Sequence, residues 1–334
     1  MMIIRNPRST IIILSYVAAN FLVITAAWNS KKTIETLPGK SGTVAPEYTL
    51  IENLDYFHVK DGLPQMSLSA TKMKSQGQDS AEFDSPVGIY NQPARKTTLK
   101  YQANTGLYRK EKDSLILEGD VKASSDDGNY EAKRVRYSFK KDLIQATGNV
   151  KFSGFDLKTG DQLKINSDRM KARLKLKQSE FTGSVQGILN RKRQYEGSMN
   201  FTSRTLTLDG VQSLAHLEGD VYMKRDNYRI TAGKADIYLE NFNKSLKYFV
   251  MNDDVKMTET INDPQTGLME RKAFAERLEG FGREEKMVLS GAPRVEQGSD
   301  VIKGYRITVR ENTDLIEVDD AMSDVQVKKK KLKD

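Results

Sequence analysis

Covalent chemistry needs a nucleophile, an acid–base pair or a metal cage, and this 334-residue chain offers little to build one. It has no cysteine and only two histidines, His58 and His216, far apart in sequence. A disulfide framework, a thiolate metal site and a cysteine nucleophile are excluded, and a histidine-based triad or metal centre is not indicated. Carboxylates are plentiful, but they recur at one place in a repeated pattern, which argues for turn-making, and nothing pairs them as acid and base. The single Trp, Trp28, lies in an apolar run near the N-terminus, so the aromatic sugar platforms common in carbohydrate-active β-helix enzymes are missing. What recurs in register is apolar. A set of apolar side chains aligned along one face does non-covalent work: it withdraws hydrocarbon from water.

Two marks carry that set. The first is Leu117-Glu118-Gly119-Asp120-Val121 and its copy Leu217-Glu218-Gly219-Asp220-Val221, with further copies at 83–89, 146–152, 181–187, 251–257 and 321–327 and a looser one at 289–295. Its Val recurs at 87, 121, 150, 185, 221, 255, 295 and 325. The second is an apolar residue, any residue, then Ala, Ser or Gly, as in Tyr130-Glu131-Ala132 and Ile230-Thr231-Ala232. Self-similarity at about 34 residues is the signature of stacked repeats. Between the marks, runs such as Tyr228-Arg229-Ile230-Thr231 alternate apolar and polar residues, which predicts strands with one buried face. Both marks are expected to change parity in the middle. A flat strand would throw half of its apolar residues to the wrong face there. A bulge or bend removes the conflict, and Gly-Asp makes the bend cheap. Each arm should therefore fold over a corner, with one half in each of two facing sheets. The inner lining would comprise Leu117, Val121, Val135, Tyr137, Phe139, Val150, Phe152, Ile230, Ile237, Leu239, Val255, Met257, Leu289 and Ile307. On pattern alone, a closed sandwich core and a ligand-binding surface both remain open.

The N-terminus is different. Residues 1–9 carry Arg5 and Arg8; residues 10–28 hold no charge and just reach the length of a membrane-spanning helix. Trp28, Lys31 and Lys32 sit where an interfacial anchor should be. A retained single-pass anchor with the N-terminus inside is expected; a cleaved signal peptide is the alternative. Residues 29–47 contain Pro38, Gly39, Gly42 and Pro46 without apolar periodicity and read as a linker. The formal charge of +8 favours anionic partners such as phosphate-bearing lipid, a membrane surface or nucleic acid, and export argues against nucleic acid. The clusters Lys133-Arg134, 191–193 and 328–331 are candidates for lipid phosphate, or simply a solvated surface and a basic tail at 328–334.

Several of these stretches carry a resemblance. Tyr228-Arg229-Ile230-Thr231-Ala232, Leu289-Ser290-Gly291-Ala292 and Ile302-Lys303-Gly304-Tyr305-Arg306-Ile307-Thr308-Val309 are similar to the OstA-type lipopolysaccharide transport proteins of the LptA family. The anchor, the linker, Pro46-Glu47-Tyr48, Phe83-Asp84-Ser85-Pro86 and Leu117-Glu118-Gly119-Asp120-Val121 resemble the LptC family. The chain thus looks like an LptC-like jellyroll over 48–208 continued by an LptA-like jellyroll over 209–327. The resemblance implies an all-β, elongated open β-jellyroll, a V-shaped trough of stacked antiparallel strands behind one transmembrane helix. It implies that the lining named above shields lipopolysaccharide acyl chains, that no bond is made or broken, and that no cofactor or metal is used. It also implies a single-pass inner-membrane protein of a Gram-negative bacterium with its bulk in the periplasm. The partners it implies are an inner-membrane permease with its ATPase and, at the C-terminal strand edge near 315–327, an LptA-like or outer-membrane translocon jellyroll. The competing expectation is an anchored β-solenoid or adhesin-like scaffold with a dry core.

Overall fold

The computed structural model describes residues 48–324 apart from 61, 77–78, 93–96, 126–127, 156–161, 191–196, 226, 241–244, 264–266, 282–283 and 311–315. The expected anchor, linker and basic tail lie outside the described residues. Among those described, no helix is long and apolar enough to cross a membrane.

Twenty-two strands, from Tyr48–Lys60 to Met322–Asp324, form one continuous antiparallel sheet. Five arms are broken into two short strands each, as in Lys286–Ser290 with Arg294–Gln297, so the strands make seventeen arms. Every arm pairs with its neighbours in sequence: Ser114–Ser125 with Gly128–Ser138, Gly128–Ser138 with Leu143–Phe155, and so on along the chain. All connections are therefore hairpins, the arrangement expected when each arm ends in a short turn.

The corner is a repeated mismatch. In the pair Ser114–Ser125 with Gly128–Ser138, Glu118 faces Arg134 and Val121 faces Ala132, so Gly119 and Asp120 stand against Lys133 alone. The same two-against-one count recurs where Val150, Val185, Val221 and Val255 meet the preceding or following arm. Two residues opposite one is a bulge, and it bends both arms. Both residues on the longer side are left-handed: Gly119 at φ 76° and Asp120 at 45°, Gly148 at 81° and Asn149 at 51°, Gly219 at 80° and Asp220 at 49°. Gly and short polar side chains tolerate that region, which explains the Gly-Asp and Gly-Asn pairs.

Parity behaves differently from the expectation in one respect. Only the Ala/Ser arms change it: Ala132 then Tyr137, Ile165 and Ser167 then Met170 and Ala172, and Ile230 and Ala232 then Ala235 and Ile237 are buried. The Val arms keep it, as in Leu117 with Val121 and Leu217 with Val221, because they place three residues on the outside of the bend instead of two. The first and last corners also deviate. At Ser85, with φ 50°, a single left-handed residue is followed by buried Pro86, and Val87 is 54% exposed. At Gly291-Ala292 the Val seat is taken by buried Pro293, and Val295 fills the seat beyond it.

The bends turn one sheet into two facing halves. One half contains 72–76, 80–84, 114–118, 134–138 and 143–147; the other contains 66–69, 87–90, 121–125, 128–132 and 150–155. The apolar faces meet between them in a single core that runs from Met66 to Val309. The outer face carries cross-strand charge pairs such as Glu118–Arg134 and Arg204–Asp220.

A methyl at Gly148 would sit 2.9 Å from Lys133 Cβ, on a backbone with φ 81°. Gly148→Ala should therefore lower unfolding stability by about 1–2 kcal/mol from the left-handed conformation alone, with the contact adding to it. Denaturant titration followed by circular dichroism measures this; an unchanged midpoint would contradict the account of the corner.

Candidate functional site

The interior between the half-sheets is not uniformly filled. A cavity of about 100 Å³ is lined by residues from both halves, among them Met66, Tyr90, Tyr101, Leu115, Ile144, Met170 and Leu174. A second, of about 200 Å³, is lined chiefly by Leu163, Leu189, Met199, Phe201, Leu206 and Leu217. Both are apolar, and both lie below the roughly 300–1,000 Å³ typical of small-molecule pockets.

The fourteen residues proposed from sequence distribute unevenly. Leu117, Val121, Val135, Tyr137 and Val150 line the first cavity. Phe152 and Ile237 line the second. Phe139 is buried beside Tyr137, ring centroids 4.7 Å apart. Ile230, Val255, Met257, Leu289 and Ile307 belong to the core, are at most 2% exposed and line neither cavity. Leu239 lies on the strand Tyr228–Glu240 opposite Leu246, and its side chain is outside the described set. The residues missed follow the rule already stated: Leu163 and Ile165 precede Ser167, and Met199 and Phe201 precede Ser203, in the Ala/Ser mark.

Two polar ties cross the interior from one half-sheet to the other. Tyr90, on Val87–Gln92, meets Tyr137, on Gly128–Ser138, with hydroxyls 2.7 Å apart. Both hydroxyls lie 2.9 Å from Asp142 Oδ1, so one phenol donates to the carboxylate and the other to it or to the first phenol. Burial, then the hydrogen bond and charge of these partners, pushes the Tyr137 phenol far above its ordinary range, which keeps it neutral. Tyr101 is shifted the same way by burial and donates to Ser67 O at 2.8 Å. The second tie is ionic. Arg271 and Glu259 are buried and paired through Nη2 and Nε; Glu259 Oε1 accepts from Asn227 Nδ2 at 3.1 Å, and Arg271 Nη2 donates to Arg310 O at 3.1 Å on the opposite half. A buried ion pair carries a large desolvation cost, tolerated only because its remaining lone pairs and protons are satisfied.

His216 Nδ1 lies 2.6 Å from Asp236 Oδ1 in a cross-strand pair. The side chain of His58 is not described. Arg134 pairs with Glu118 at 2.9 Å on the outer side of a corner, and 191–193 and 328–331 lie outside the described residues. Among the described residues, no group of three or more His, Asp or Glu is placed to hold a metal ion. The first strand, Tyr48–Lys60, pairs only with Leu63–Gln76, and the last arm only with 301–309, so both ends present an open edge among the described residues.

Two family models match the chain. The lipopolysaccharide-assembly, LptC-related model covers 15–190, and the LptA/LptD N-terminal lipopolysaccharide transport model covers 200–315. No curated protein matches. Among solved structures the chain is similar to LptH, the LptA-homologous periplasmic component of the conserved lipopolysaccharide transport device of Pseudomonas aeruginosa. The identity is 14% over 39% of this chain and 95% of that one, with a TM-score of 0.35, too low to carry an argument. The first match ends at 190 and the second begins at 200, on either side of the pairing of Leu189 with Met199. The second cavity draws its walls from both sides of that join.

The ties make opposite predictions. Tyr137→Phe removes one buried hydroxyl and should cost about 0.5–1.5 kcal/mol. Arg271→Met strands Glu259 and should cost about 3–5 kcal/mol, most of it recovered when Glu259→Met is added. Because the folded pKa of Tyr137 is raised, its contribution is complete below the unfolded value of about 10 and falls as pH rises above it. Denaturant titrations of the three variants, and of wild type from pH 7 to 11, test all of this; a double variant no better than Arg271→Met would contradict it.

Proposed function

Because this chain belongs to the LptC-related lipopolysaccharide-assembly family and continues into a segment matching the LptA/LptD N-terminal model, we propose that it is a single-chain bridge for lipopolysaccharide. Anchored in the inner membrane through residues 10–28, it takes lipid from an exporter made of a permease and its ATPase. It passes the lipid along the interior toward the outer membrane, with acyl chains inside and sugars in water. The last arm's edge docks the next jellyroll, whether an LptA-like subunit or the outer-membrane translocon, by strand addition. It acts as a conduit and performs no covalent chemistry.

The observation that carries this reading is the second cavity, whose apolar walls are shared by the two matched segments. On this reading two jellyrolls that would otherwise meet at strand edges are here continuous through the antiparallel pairing of Gln178–Asn190 with Met199–Asp209, and one apolar core runs through that pairing. Energetics point the same way. Burying a dozen methylenes gains roughly 10 kcal/mol before ordering costs, so one deep pocket would rarely release its lipid. A row of comparable apolar sites lets lipid be pushed on from behind. That Ile230, Val255, Met257, Leu289 and Ile307 are buried and line neither cavity favours a second reading, a dry scaffold in that portion of the chain.

Photo-crosslinking residues placed in cells at Tyr137, Ile237 and Ile307 separate the two. Adducts to lipopolysaccharide at all three are expected of a conduit. Adducts to protein alone at every position would overturn the proposal, and a signal that stops before Ile307 would establish a dry C-terminal portion.

A further inference from the structure

One rim of the interior is basic beside the first cavity. The hairpin turns on this rim carry Lys110 and Lys112, then Lys140 and Lys141, then Lys175 and Lys177. They are locked in line by backbone bonds from one turn to the next: Phe139 N–H to Asp113 O at 3.0 Å, Leu174 N–H to Asp142 O at 3.2 Å, and Gly210 N–H to Lys177 O at 2.9 Å. Each turn ends on a left-handed residue, Asp113, Asp142 or Lys177, so the three have the same backbone exit. Successive turns are two arms apart, about 10 Å. Over the equivalent turns 110–113, 139–142 and 174–177 the basic side chains number six and the acidic three, Glu111, Asp113 and Asp142, the last engaged by the two tyrosines. The next turn on the rim, Gly210-Val211-Gln212-Ser213, has no charge at all.

Two contrasts separate this row from a merely soluble surface. Several basic residues at and near the corners stand in cross-strand ion pairs, as Lys151 does with Glu131 and Lys234 with Asp253. None of the six rim lysines is in an ion pair among the described residues, and five of them are exposed. The row also borders the cavity: Leu174 and Gln178, which bracket Lys175 and Lys177, both line it, as do Leu115, Tyr137 and Ile144 beside the other two turns. Unpaired cations at the mouth of an apolar cavity match a ligand that has phosphate on a hydrocarbon body.

We propose that this rim, Lys110 through Lys177, is a phosphate-binding ledge that holds the phosphorylated headgroup of an amphiphile while its acyl chain occupies the first cavity. The proposal rests on the conduit reading and adds the headgroup chemistry. The ledge biases the first half of the interior toward phosphorylated lipid, and its end at Gly210, which lines the second cavity, releases the headgroup there.

The test uses the full chain in detergent and two fluorescent lipids of identical acylation, a phosphorylated acyl-glucosamine disaccharide and its dephosphorylated form. Wild type should bind the phosphorylated probe about tenfold more tightly, a preference that shrinks as salt screens exposed charge. Combining Lys140→Gln, Lys141→Gln, Lys175→Gln and Lys177→Gln should abolish the preference and leave affinity for the dephosphorylated probe unchanged. The outer-corner pair Lys133→Gln and Arg134→Gln should leave the preference intact. Inorganic phosphate at the probe's concentration should not compete. Equal binding of both probes by wild type, a preserved preference in the quadruple variant, its loss in the corner pair, or competition by inorganic phosphate would each overturn the ledge while leaving the conduit standing. Binding of neither probe by wild type would overturn both.

Discussion

The two-against-one mismatch at each corner is the constraint from which the rest follows. At the middle corners one arm spends two left-handed residues where its neighbour spends one, and the sheet bends at each of these steps. Because the bends stack, the apolar residues on either side face each other and form one long core. The small residues on the inside of the bend, Ala132, Ser167, Ser203 and Ala232, let the halves approach; Ser167 and Ser203 turn their hydroxyls back to the carbonyls of Arg169 and Thr205. A larger side chain there would wedge the halves apart at their line of contact.

An interior built this way is apolar from end to end without being equally accessible. Cavities occur toward the N-terminal half and at the join between the matched segments, while Val255, Met257, Leu289 and Ile307 farther along line neither of them. The Tyr90–Tyr137–Asp142 and Arg271–Glu259 ties link the two half-sheets at either end. Cavities of about 100 and 200 Å³ are small for a multiply acylated lipid, so loading on the conduit reading requires the halves to part. Parting breaks such ties, and on that reading the exporter supplies the energy.

Much of this was legible in sequence because it is periodic. The Gly-Asp and Ala/Ser marks revealed a bent arm, a two-sided interior and most of its apolar lining, since a buried face must repeat every second residue. What escaped was non-periodic. Which arms change parity depends on how many residues lie outside the bend, which Leu117 and Val121, four apart, disguise. Pro86 and Pro293 take seats that the pattern assigned to Val or left empty. The Arg271–Glu259 pair sits on the inward parity among Met257, Ile261 and Ala273, where a charge contradicts the pattern, and only three-dimensional pairing accounts for it. The rim lysines look like ordinary turn residues until the turns are seen to line up beside a cavity. The resemblance to transport families rested on the same short motifs, and the family matches bear it out over 15–190 and 200–315.

The central claim is that one interior carries lipid across the join between the two segments. Time-resolved photo-crosslinking in a reconstituted exporter, with probes at Tyr137 in the first cavity and Leu206 in the second, tests it most directly. After ATP is added, lipopolysaccharide adducts should rise at Tyr137 first and at Leu206 after a lag, both abolished without ATP. Adducts at Tyr137 with none at Leu206, or at Leu206 before Tyr137, would contradict passage through a shared interior.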